Sequence, residues 1–226
     1  MGIDTKRMFS FLDDLRENND RSWFDANRQR YEDDLVAPSM ALIEALAEPI
    51  AEVTPHFRAI AKKQGGSLFR IFRDTRFSKD KTPYKTHVGI HLRHETTGKE
   101  VHAPGFYLHL EPGASGVGVG MWQPEPAPLL QVRERIVSDA KGWRETRAKL
   151  DAAGMPLGGE TLKKPPKGFD ADHEHIDDLK RKDFTVWRTL TDKEVHGKDL
   201  VGKVGAAFAD AGPLAGFLCR AVGMPF

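Results

Sequence analysis

The sequence predicts an α+β protein: an antiparallel β-meander packed against N-terminal and C-terminal helices. Two observations carry this. Apolar residues recur at helical spacing over the first sixty residues and again beyond Pro128, and between these blocks the period drops to two. Helix, sheet and helix therefore follow one another in blocks, without the strand–helix alternation of βαβ units. The expectation is one domain over 1–226, helical over 1–62, a β-meander over 67–123, and mainly helical over 126–226.

In the first block, Asn19-Asp20 before Trp23 marks a helix start with Asp20 as N-cap. Trp23, Asn27, Tyr31 and Leu35 then share one face at spacing four, and Pro38 begins a new helix or kinks the old one. Met40, Ile43, Leu46 and Ile50 form the next apolar stripe.

In the middle block, Val88, Ile90 and Leu92 alternate with His87, Gly89, His91 and Arg93. Phe106, Leu108 and Leu110 alternate with Tyr107, His109 and Glu111, and Val117, Val119 and Met121 with Gly116, Gly118, Gly120 and Trp122. Each is the pattern of a half-buried strand, and Pro112-Gly113 joins the last two as a tight turn. Leu68 to Asp74 reads as a fourth strand.

In the last block, Leu129, Val132, Ile136 and Trp143 continue at helical spacing. Residues 154–166 form a Gly/Pro-rich connector with room for a short hairpin. Helices are expected over 176–182, 192–211 and 213–222, and Phe184 to Leu190 suits one more strand.

Composition limits the function classes. Lys plus Arg number 34 against 33 Asp plus Glu, a net charge of +1, so the chain is not coated in positive charge for long nucleic acid. The single cysteine, Cys219, excludes an internal disulfide and a Cys-rich zinc site, and its apolar neighbours suit packing rather than reactivity. The charged N-terminus lacks the apolar run of a signal peptide, and no apolar stretch approaches the ~20 residues of a membrane helix. The expectation is a cytoplasmic protein with no membrane partner; its oligomeric state is left open.

The densest chemical signal lies between Leu68 and His87. Six cations (Arg70, Arg73, Arg76, Lys79, Lys81, Lys85) stand against Asp74 and Asp80, a local net of +4. Guanidinium forks and mobile ammonium groups suit phosphate or carboxylate, and Ser78, Thr82 and Tyr84 add hydroxyl donors. The competing reading is a solvated loop whose aspartates pair locally.

The run RDTRFSKDKTPYKTH, with NNDRSWFDANRQRYEDDL upstream, the GFYLHLEPG…GVGVGMW hairpin and the late PPKGFDADHEH…LKRKDF, resembles one widespread bacterial and fungal family of uncharacterised proteins, a domain of unknown function. The resemblance covers nearly the whole chain and implies a single domain. It implies no activity and assigns no catalytic residue.

The strand pattern adds a second clue. Opposite the apolar face it places His87, His91, Arg93, Tyr107, His109 and Glu111 beside the strip Gly116, Gly118 and Gly120. Such a floor admits a ligand, or else is covered by Trp23 or Phe24 from the N-terminal helices. Arg70, Arg73, Arg76, Lys79, Lys81, Tyr84, Lys85, His91 and Tyr107 are the candidate ligand-binding residues, and His87, His109 and Asp74 the candidate proton carriers. No cofactor is expected and no metal site is assigned, although His91 with His109, and His173-Glu174-His175, hold ligand-type residues in incomplete spacing. Lys163 to Lys167 and Lys180 to Lys182 are secondary basic patches.

Three functions follow as expectations. The first is a small phosphate- or carboxylate-bearing ligand bound beside the sheet, with an enzyme acting on it as one version. The second is a module for short nucleic acid or protein on the same basic and aromatic surface. The third is structural, with the arginines tying helices to sheet through Glu32 and Asp33.

Overall fold

A computed structural model describes residues 3–98 and 100–226. Its elements are α1 (Thr5–Glu17), α2 (Arg21–Ala26), α3 (Arg28–Arg30), a π-helical segment (Tyr31–Val36), α4 (Ala37–Ala45), α5 (Ala47–Val53), β1 (Phe57–Arg58), β2 (Val88–His94), β3 (Gly105–Leu110), β4 (Gly116–Met121), α6 (Pro126–Ser138), α7 (Ala140–Ala152), α8 (Ile176–Leu179), β5 (Phe184–Thr189), α9 (Asp192–Val195) and α10 (Leu200–Ala221). This is the α+β architecture the periodicity predicts.

The sheet runs β1-β2-β3-β4-β5 in sequence order, and every neighbouring pair is antiparallel. One face carries Ile90, Leu92, Phe106, Leu108, Val117 and Phe184, all fully buried. α10 packs against β3 and β4 and also touches α5, α6 and α7, so it is the central strut beneath the sheet. Burying each large apolar side chain stabilises the fold by roughly 1.5–3 kcal/mol.

Local chemistry explains where elements begin and end. Asp20 caps α2, its carboxylate accepting the Trp23 N–H at 3.0 Å. The expected single helix through Trp23, Asn27, Tyr31 and Leu35 is instead broken at Asn27 and widened into the π-helical turn just before Pro38. Proline has no N–H for the preceding turn, and the wider turn absorbs the mismatch. Trp23 and Tyr31 both pack near Phe11, their ring centroids 5.8 and 6.1 Å from it. The helical block also stops earlier than 62: α5 ends at Val53, Thr54 is extended before Pro55, and β1 follows.

Three other expectations are corrected. Leu68 to Asp74 is not a strand with its own ladder. It touches β2 through the Leu68–Ile90 bridge and through the Phe69 N–H to the Gly89 carbonyl at 2.9 Å, and it meets the chain ahead of β2 through the Phe72–Tyr84 bridge. Pro83 offers a carbonyl to Arg73 N–H but no donor in return, which interrupts the rungs. Pro213 starts no separate helix but lies inside α10. Twelve of the 22 residues of α10 are buried, and their burial outweighs the ~3 kcal/mol that an interior proline costs. Residues 176–182 give only the short α8, and 192–211 divides into α9 and the start of α10.

The Gly/Pro connector does not fold on itself. It pairs with the chain around β5 through Leu157–Val186 and Thr161–Arg181 bridges. Below it, Asp178 is 6% exposed and accepts from Trp143 Nε1 at 2.8 Å, Arg147 at 2.6 Å and Arg181 at 3.0 Å. No helix among the described residues is long and apolar enough to cross a membrane.

Candidate functional site

The face of the sheet turned away from α10 is built by register. Gly89 stands opposite His109, His91 opposite Tyr107, Tyr107 opposite Gly118, and Gly118 opposite Trp187. Trp187 of β5 lies over Gly116 and Gly118, in place of the expected cover by Trp23 or Phe24 from the N-terminal helices, and Gly118 and Gly120 still line open space. A Cβ on Gly116 would stand 2.3 Å from the Trp187 indole, and one on Gly105 only 2.1 Å from His91 Nε2. At both places another side chain already fills the space that a Cβ would take.

Beside Trp187 the face opens into a cleft of about 420 Å³. Phe69, Tyr107, Trp122 and Trp187 form its walls, and Gly105, Gly118 and Gly120 part of its floor. Val101, Trp122 and Trp187, three of the large apolar residues that the fold leaves exposed, all line it. Exposed apolar groups gathered around one concavity mark a binding surface more than scattered ones do. A second cavity along α10 is lined by Pro49, Glu52, Gly205, Gly212, Pro213 and Arg220.

The cleft has a polar end. Tyr107 Oη lies 3.0 Å from His109 Nδ1, and His109 Nε2 lies 3.0 Å from Glu111 Oε2. An ionised carboxylate can only accept, so Nε2–H donates to Glu111 and Nδ1 accepts from the Tyr107 hydroxyl. Arg16 and Thr86 each reach Glu111 Oε1 at 3.5 Å. The His87 ring lies against His109, 4.4 Å between centroids. Burial pushes the Tyr107 hydroxyl up to about 12, with the Glu111 charge adding to it, so the phenol stays protonated.

Burial also pulls His87 down to about 4, helped by the neighbouring His109. His91 falls to about 4 for the same first reason, with Arg93 adding to it; its Nδ1 is buried with no hydrogen-bond partner. Both rings are neutral at pH 7.

The basic segment forms a loop in which each of the two aspartates holds one arginine. Arg76 holds Asp74 through two bonds, at 2.6 and 3.0 Å, and Arg73 holds Asp80 and the Thr82 hydroxyl. The arginine beside each aspartate draws its carboxyl down to about 2, which leaves Asp74 no proton to carry at neutral pH. Lys81 donates to the Thr75 carbonyl at 2.8 Å, and Lys79 is exposed on the same outer turn. Tyr84 is a core residue, 4% exposed and stacked on Phe24 at 4.1 Å.

Of this segment only Phe69 lines the cleft, and none of the six cations does. Lys85 Nζ sits 5.3 Å from the centre of the Phe69 ring and donates to the Arg70 carbonyl at 3.0 Å. Burial, then the Arg70 charge, lowers the Lys85 ammonium from its ordinary value. The arginines do not tie the helices to the sheet through Glu32 and Asp33: Glu32 pairs with Lys63, and Asp33 accepts from Gln29.

The other candidates disperse. His91 faces the aromatic end of the cleft, not the cluster of His87, His109 and Glu111. His175 is taken by the Ala140 carbonyl at 3.2 Å and Glu174 by Arg144 at 2.6 Å, so that segment fastens the connector to α7. Lys180 and Lys182 pair with Asp177 and Glu160. Cys219 is buried, its thiol pushed up to about 12 by desolvation, and does not supply a thiolate.

Sequence reasoning missed Trp187, Trp122 and Phe69. The first had a legible signal, since Trp187 shares the polar side of a strand with Thr185 and Thr189. Trp122 had one as well, since it continues the glycine side of the β4 alternation, whereas Phe69 reaches the cleft through irregular backbone that no period describes.

No curated protein and no solved structure matches this chain. A family model does, over residues 7–217, and it spans the cleft, the polar cluster and the basic loop. The chain belongs to the family described as conserved hypothetical protein (DUF2461).

Proposed function

We propose that this protein binds a small anionic ligand with a flat apolar portion in the aromatic cleft beside the sheet. The observation that carries the reading is the cleft's construction: four rings around a glycine floor, with Lys85 against the outer wall at Phe69. Rings set around a floor without side chains leave a slot suited to a planar group. Lys85 and Arg70 are like charges held close in a partly buried place, and a phosphate or carboxylate between them relieves that repulsion. Tyr107 supplies an oxygen that accepts from the ligand while its own proton is held by His109.

The test is a thermal-shift screen of planar anions (aryl phosphates, aromatic carboxylates, nucleotides) against inorganic phosphate alone. At a hundred times the dissociation constant a ligand stabilises the fold by about 2.7 kcal/mol. The expected outcome is a shift with a planar anion that Trp187→Ala and Lys85→Ala each abolish in folded protein. Retention of the shift in both variants overturns the reading.

A second reading rests on Phe77, which is 95% exposed on the basic loop with the Arg76 guanidinium 5.9 Å from its ring. A free ring beside an arginine suits stacking on a base of short single-stranded nucleic acid. Oligonucleotide binding that weakens steeply with salt, and is lost in Phe77→Ala, would favour it.

A further inference from the structure

We propose that His87, His109 and Glu111 form a binding site for one divalent transition-metal ion at the polar end of the cleft. The inference stands apart from the cleft reading, because metal binding is measured with no organic ligand present.

The three residues come from the ends of two paired strands. Val88 is opposite Leu110 and Gly89 opposite His109, so continuing the register by one residue sets His87 across from Glu111. All three then point to the same side of the sheet. One donor atom from each lies within 4.8 Å of the others. The pair His109 Nε2 and Glu111 Oε2 is 3.0 Å apart. Two ligands at ~2.1 Å from a metal and at right angles are separated by ~3.0 Å, so these atoms already stand as neighbours on one ion.

The surroundings fit as well. A metal-bound histidine usually gives its other N–H to an oxygen, which fixes the ring. Here that oxygen is Tyr107 Oη, 3.0 Å from Nδ1. When Nε2 binds metal, its proton passes to solvent and Nδ1 takes one up from solvent; the neutral imidazole is then the other tautomer, and the Tyr107 hydroxyl, turning its own proton away, changes from donor to acceptor. Arg16 and Thr86 engage Glu111 Oε1 and leave Oε2 for the ion. His87 is partly buried, and no side-chain hydrogen bond among the described residues engages its ring. Its ring is thus not committed to another group in the way the His175 ring is committed to the Ala140 carbonyl.

Two imidazoles and one carboxylate leave coordination positions open, the arrangement of metals that act on a ligand more than of structural ones. The donor set carries one negative charge, so a bound divalent ion keeps a positive charge. With Arg16, Lys85 and Arg73 nearby, an anion is the favoured occupant of the open positions. Zinc, cobalt(II) and iron(II) all suit this donor set.

The experiment uses tag-free full-length protein stripped with a chelator, then titrated with Zn²⁺ by calorimetry and with Co²⁺ by visible absorption. The expected result is one equivalent of either metal, with a Co²⁺ spectrum showing nitrogen and oxygen ligands. His109→Ala and Glu111→Gln should each weaken binding by on the order of 100-fold or more, and Tyr107→Phe by about tenfold, the size expected for an outer partner. His102→Ala and His175→Ala should bind as the parent does. Circular dichroism and thermal unfolding establish that each variant is folded. Should His109→Ala fail to fold, Glu111→Gln and His87→Gln carry the same test. No stoichiometric binding by the parent, or unchanged binding in folded Glu111→Gln, overturns the proposal. So does loss of binding in His175→Ala with retention in the cluster variants.

Discussion

Gly116 lies directly beneath Trp187, so close that a Cβ there would stand 2.3 Å from Cζ2 of the indole. Gly116 pairs with Thr189 and Gly118 with Trp187, so the indole lies diagonally across the two strands, where a side chain on Gly116 would otherwise project. The strip Gly116, Gly118 and Gly120 is therefore half of an aromatic seat. Trp187 is 44% exposed, so it has room to swing outward when pushed. Gly116→Ala should accordingly cost less than the roughly 1–3 kcal/mol of overpacking in a closed core. It should instead displace the ring, seen as a red shift in tryptophan emission, and weaken binding of planar anions. An unchanged emission spectrum in folded Gly116→Ala would mean that Trp187 does not rest on this glycine.

Asp178 tests what the late motif does. Its carboxylate is the shared acceptor of Arg147, Arg181 and Trp143 in a place only 6% exposed. Removing one member of a buried charged group strands the others and typically costs 3–5 kcal/mol. Asp178→Ala should show that loss in urea denaturation, whereas replacing the exposed pair of Asp74 and Arg76 should leave the midpoint unmoved. A small effect at Asp178 would show that water reaches and resolvates the two arginines.

The contrast explains how far the sequence could be read. Strand existence and face were legible because burial of one side imposes a period of two, so His87, Tyr107, His109 and Glu111 were placed on one surface before any contact was known. The pairing of charges was not. Arg73, Arg76, Asp74 and Asp80 sit in a loop, where no period ties sequence distance to geometry, and a net of +4 does not reveal that each aspartate holds one arginine. Cross-strand neighbours were half legible: alternation puts His91 and His109 on one face, but register decides that His91 meets Tyr107 while His109 turns to Glu111.

The basic loop gives a prediction that separates the two binding readings. Arg76 and Lys81 lie on its outer turn, Arg76 held by Asp74 and Lys81 by the Thr75 carbonyl. Replacing both with alanine should leave planar-anion binding in the cleft unchanged. It should sharply weaken oligonucleotide binding if that occurs, and reduce its salt slope. Loss of small-anion binding in this double variant would move the ligand site from the cleft to the loop.

His91 gives the fold a pH dependence whose sign is set by its burial. Its ring titrates at about 4 in the folded protein, against the usual 6.5, because burial disfavours the cation and Arg93 adds repulsion. The folded state thus binds fewer protons than the unfolded chain between those two values. Stability that is fully present above about pH 6.5 is lost as the pH falls toward 4, by about 3 kcal/mol from this residue in total. His87, lowered to about 4 as well, acts in the same direction. The measurement is urea denaturation at half-unit steps from pH 7 to 4, in the parent and in His91→Gln, which keeps a polar group near Gly105 but cannot titrate. The variant should lose a large part of the slope between pH 6.5 and 4. A slope as steep in His91→Gln as in the parent would mean that the ring gains a proton without leaving its place, and that a ligand group or water reaches its buried Nδ1.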